Sequence, residues 1–136
     1  MAVNKQEILN RVAHVASKLQ SVENPQVKVG VLSELASAAL DARIQLQEAF
    51  KGQDDIEDTI YILKCIQDGA EDATVELLDW LHDIADYTKE LEDLRAAGAD
   101  KEDIEEAIDN LNRAKNNVQD YPLRIYGLNY FLRYVV

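Results

Sequence analysis

Apolar positions recur along this chain every three or four residues, the period of amphipathic helices rather than the alternation of strands. Ile8, Val12, Val15, Ala16, Leu19 and Val22 make the first run. Asn4, with Glu7 three residues later, reads as its N-cap and capping-box partner. Asn24-Pro25 ends that helix and opens the next, since proline suits the first helical position after an asparagine cap. The second run carries Leu32, Leu35, Ala36, Ala39, Leu46 and Phe50 and ends near Lys51-Gly52. Asp54 and Glu57 form another capping pair before a short third helix with Ile56, Ile60, Leu63 and Ile66, expected to stop at Asp68-Gly69.

The fourth helix, about residues 71–97, is expected to be the longest and to be closed by Gly98. Its apolar face is Leu77, Leu78, Leu81, Ile84, Ala85, Leu91 and Leu94. Asp100 caps a fifth helix with Ile104, Ala107, Ile108, Leu111 and Val118 inward. Tyr121-Pro122 interrupts it, and Pro122 is the expected start of a sixth helix running to the C-terminus. Short loops between such helices predict mostly antiparallel neighbours. The expected fold is therefore all-α: a single-domain bundle of five to six amphipathic helices over residues 1–136, with one long central helix.

Composition agrees. With only 5 Gly and 2 Pro, the chain lacks the turn residues an all-β fold of 136 residues requires. The single cysteine, Cys65, excludes an internal disulfide, and its environment is expected to be structural, with no histidine near it in sequence. The first residues lack a signal peptide's basic-then-apolar run, and no stretch is apolar enough for a membrane span. A cytoplasmic protein is expected.

Charge changes the picture most. The net charge is −12, which disfavours direct contact with nucleic acid or an anionic membrane and favours a basic protein partner. The excess is segregated: residues 1–53 carry 6 Lys/Arg and 5 Asp/Glu, residues 54–110 carry 4 and 20, and residues 111–136 carry 4 and 1. Within the expected fourth helix, Asp72, Glu76, Asp79, Asp83, Asp86, Glu90 and Asp93 follow one another at spacings of four and three. Helical geometry confines them to a stripe roughly 100° wide and about 30 Å long. Glu102, Glu105, Glu106 and Asp109 add acid to the fifth helix.

Such a stripe is either the solvated face of an acidic bundle or a surface that docks on a basic groove. In the second case the candidate partner-binding residues are Glu76, Asp79, Asp83, Asp86 and Glu90, with Trp80 and Tyr87 as bordering anchors. The C-terminal segment from Tyr121 differs, being rich in aromatic residues and free of acid. As a helix it would put Tyr126, Tyr130 and Tyr134 on one face and Leu128, Phe131, Leu132 and Val135 on another. It either closes the core or meets a second copy or a larger assembly.

Catalytic patterns are weak. His82-Asp83 matches the paired ligands of HD-type metal phosphohydrolases, but His14 is the only other histidine. The carboxylates of Glu105, Glu106 and Asp109, or of Glu76, Asp79 and Asp83, can be fitted to an all-α Mg-dependent nucleotide pyrophosphohydrolase, though acids are abundant enough for chance matches. No Gly-rich phosphate loop, zinc pattern or nucleophile elbow occurs. No cofactor, metal or catalytic residue is assigned. The expected function is a non-catalytic acidic protein that blocks or occupies a basic partner protein, one that binds nucleic acid being an example: a phage anti-defence inhibitor, a nucleic-acid mimic or an immunity protein. A scaffolding subunit using the C-terminal helix is the alternative.

Overall fold

The computed structural model describes residues 4–119 and 125–136, with the side chain of Asp54 outside that set. The chain is an all-α helical bundle with one long helix: α1 (Lys5–Ser21), α2 (Pro25–Ala49), α3 (Asp54–Ala96), α4 (Lys101–Gln119) and a short α5 (Leu128–Tyr130) that widens into a π-helical turn (Phe131–Val135). No strand occurs among the described residues. Contacts divide the chain into two compact units, residues 75–122 and the remainder.

The larger unit holds α1, α2, the first half of α3 and the C-terminal segment. Asn4 caps α1 by accepting from the Gln6 amide at 2.8 Å, whereas Glu7 is exposed and makes no return bond. Asn24 caps α2 through the Gln26 and Val27 amides at 2.9 and 3.2 Å, with Pro25 at the first helical position. The expected inward runs of α1 and α2 are buried, save that Val22 and Phe50 are half-buried, and Leu9, Val31, Ala38 and Ala42 join them. Leu32, Leu35 and Leu46 are wholly excluded from solvent, as are Leu63 and Ile66 on α3 and Phe131 near the C-terminus.

Two expectations are corrected. The third and fourth helices are one: α3 runs unbroken through Asp68-Gly69 for 43 residues. Gly69 is no C-cap. It keeps a helical backbone, and a Cβ there would lie 3.0 Å from Ile125 Cγ2, so this glycine serves close packing. The sixth helix is the other: among the described residues it is short, α5 followed by its π-helical turn. Gly127 adopts a left-handed φ of 86° immediately before α5 and so stands at its start. The expected breaks at Tyr121 and Pro122 lie outside the described residues.

The second unit holds the rest of α3 and α4, joined by a tight turn. Gly98 (φ 67°) donates to the Arg95 carbonyl at 3.3 Å and Ala99 to the Leu94 carbonyl at 3.0 Å, the paired bonds of a Schellman stop. One apolar seam has Leu91, Ala107 and Leu111 buried, with Ile84, Tyr87, Leu94, Ile104 and Ile108 partly buried against them, and Leu77, Ala114 and Val118 of this unit are buried as well. Leu78 and Ala85, expected on the inward face of α3, are exposed.

Candidate functional site

The acidic stripe is assembled as the spacing requires. All seven of its carboxylates, Asp72 to Asp93, belong to exposed residues of α3. Among the described residues none of Asp72, Asp79, Asp83, Asp86, Glu90 and Asp93 is ion-paired; the three ion pairs are Lys5–Asp55, Lys18–Glu34 and Lys101–Glu105. Lys89 and Arg95 are exposed and form none either. The partner-binding candidates Glu76, Asp79, Asp83, Asp86 and Glu90 all fall in the second unit, whose residues 75–122 include 14 Asp/Glu and 5 Lys/Arg. Glu102, Glu106 and Asp109 of α4 are exposed as well.

The bordering aromatics are placed differently from the acids. Trp80 is half-buried. Tyr87 is half-buried too and leans on the Leu91, Ala107 and Leu111 seam. Helical geometry explains this, since both lie about 20–40° beyond the edge of the stripe, toward the inward face. Each is therefore only partly available to a partner. His14 and His82 are exposed, and among the described residues no group of three or more His, Cys, Asp or Glu is gathered to hold a metal ion.

A second region was not anticipated from the sequence. Asp58, Tyr61, Ile62 and Cys65 recur at spacings of three, one and three along α3, hence on one face. The C-terminal segment lies over that face because two glycines admit it. Ile125 fits against Gly69, and Gly127 sits where an added Cβ would touch Cys65 Cβ at 3.6 Å and Ile62 Cγ2 at 3.7 Å. Beside this crossing opens a pocket of about 430 Å³, to which the C-terminal segment adds Tyr126, Asn129 and Tyr130. Three of its tyrosines remain largely open to solvent: Tyr61 is 62% exposed, Tyr126 75% and Tyr130 54%. Tyr130 also meets Tyr134, ring centroids 5.1 Å apart.

Tyr61 is the one group here whose titration is displaced. Its phenol is held above its ordinary pKa, first by a hydrogen bond to the Cys65 thiol one turn on, then by repulsion from charge at Cys65 and Tyr126 and by slight desolvation. A tyrosine is neutral at physiological pH without such help, and the displacement acts in the same direction. The sequence signal for this pocket was the Asp58–Cys65 spacing, but nothing in that spacing says that the C-terminal segment covers the face. Comparison with protein-family models, curated proteins and solved structures finds no match to this chain.

Proposed function

We propose that this chain is a non-catalytic, cytoplasmic binding protein whose acidic α3 face occupies the basic groove of a partner protein, in the place of nucleic acid. The observation that carries the reading is the continuous row of exposed carboxylates on one helix, six of the seven in a unit with 14 acidic and 5 basic residues. The row presents about one carboxylate per 5 Å of helix axis. A groove lined by Lys and Arg recognises regular negative charge more than base identity, so such a row competes for it. Complementary charge also accelerates encounter and makes it salt-sensitive. An anti-defence inhibitor, a nucleic-acid mimic or an immunity protein is the kind of protein this reading describes.

The test is affinity capture from the source cell at low salt, comparing the native chain with Asp79→Lys/Asp83→Lys/Asp86→Lys. The expected result is a basic protein retained by the native chain alone and displaced by double-stranded DNA. Retention of the same protein by the triple variant would sink the reading, as would turnover of a nucleotide with Mg²⁺.

The exposed tyrosines of the C-terminal segment favour a second reading, a contact with a larger assembly or another copy. Deleting that segment would not test it, because Phe131 is wholly buried and its loss would damage the core. The paired change Tyr130→Ser/Tyr134→Ser leaves Phe131 in place. If this reading holds, the pair lowers the molar mass measured by light scattering; an unchanged mass counts against it.

A further inference from the structure

The pocket beneath the C-terminal segment has a chemistry unlike that of the acidic stripe and independent of it. Its walls are the Tyr61, Tyr126 and Tyr130 side chains, its apolar contribution comes from Ile62 and Ile125, its neutral polar groups are Cys65 and Asn129, and its charged group is Asp58. Among the described lining residues none is basic, and Asp58 is exposed and ion-paired with none of them. Tyrosine faces are electron-rich and attract cations. A carboxylate beside them repels anions and makes the site poor for a neutral hydrocarbon. A single carboxylate is also too few for a metal ion, which needs several oxygen ligands.

The kind of cation follows from hydration. A bare ammonium brings three N–H donors that demand acceptors, and it is strongly hydrated. A quaternary ammonium has no donor to satisfy, so aromatic and aliphatic walls with one carboxylate suffice. A volume of about 430 Å³ lies within the range of small-ligand sites and leaves room for a substituent on the headgroup. We propose that the pocket between the 58–65 face of α3 and the C-terminal segment binds a quaternary ammonium ion, seated against Tyr61, Tyr126 and Tyr130 beside the Asp58 carboxylate. The neutral state of Tyr61 keeps a second negative charge, and its hydration, out of the wall. Two sources share this headgroup, a free small molecule and a trimethylated lysine side chain.

Isothermal titration calorimetry of the full chain tests the proposal with choline and its neutral isostere, in which carbon replaces nitrogen. Choline is expected to bind saturably, with the isostere about tenfold weaker, the size of effect a cation–π site supplies. Tyr126→Leu and Asp58→Asn should each weaken choline several-fold. Tyr126→Phe, which keeps the ring, should hold affinity within about twofold. Both positions are exposed, so the variants leave the core alone, and circular dichroism verifies this. A parallel titration uses a trimethyllysine peptide against its unmodified form. Preference for that peptide over choline assigns the site to a protein side chain, and the reverse to a free metabolite; either upholds the ammonium site. Equal binding of choline and its isostere, indifference to both Tyr126→Leu and Asp58→Asn, or no binding of either ammonium probe overturns it.

Discussion

The two units differ in what they spend their surface on. The larger unit buries leucines and alanines from α1 and α2, the apolar face of α3's first half, and Phe131. The smaller is two helices that bury Leu77, Leu91, Ala107, Leu111, Ala114 and Val118, faced with exposed acid. Hydrophobic stabilisation scales with buried apolar area, while like charges at helical spacing oppose it. The difference teaches that the proposed binding surface stands on the weaker of the two frames. Regions that engage partners are commonly drawn from the low-stability end of a fold.

Core truncations should separate the units most sharply. Phe131→Ala is expected to lower unfolding free energy by about 3–5 kcal/mol, read by urea denaturation, because a wholly buried aromatic leaves a large cavity. Leu111→Ala should cost less, about 2 kcal/mol, since a smaller side chain that keeps a little exposure is removed. Hydrogen exchange should place its effect on α4 and on residues 75–96 of α3. Exchange spreading equally into α1 and α2 would break the comparison.

The acidic face offers a change of opposite sign. Asp83→Asn removes the like-charge spacings to Asp79 and Asp86 and should stabilise the second unit by about 0.4–1 kcal/mol at low salt. Added salt should shrink that gain by screening. If the gain survives high salt, repulsion is not its source.

Two helical glycines sharpen the comparison further. Gly30 on α2 has open space where a Cβ would go, so Gly30→Ala should stabilise by about 0.5–1 kcal/mol. Gly69→Ala gains the same propensity but drives a methyl to 3.0 Å from Ile125, so its measured benefit should be clearly smaller. Equal gains would mean that the Ile125 contact is loose. The subtlest effect concerns Tyr61. Its pKa is raised chiefly by Cys65, so Cys65→Ala should bring the phenol down toward its ordinary value, seen as tyrosinate forming at lower pH in an ultraviolet titration. An unmoved titration would remove Cys65 as the cause.

Much of the fold was readable in the residues. Both asparagine caps, Pro25 and Gly98 act where helix-end chemistry puts them, because a cap depends on a few neighbouring atoms. The acidic stripe was readable for the same reason: once α3 is a helix, spacing alone sets which carboxylates share a face. Leu9 and Ala42 were missed as core, because which flank of a helix is covered depends on its neighbours.

What the amino-acid sequence determined by itself was local: helix type, most helix ends, the segregation of charge and the register of the stripe. What only the tertiary structure decided was the meaning of Gly69 and Gly127, and with them the pocket. A glycine ends a helix in one setting and admits a neighbouring chain in another. The choice rests on Ile125, 56 residues away from Gly69, and helical periodicity holds no information at that distance.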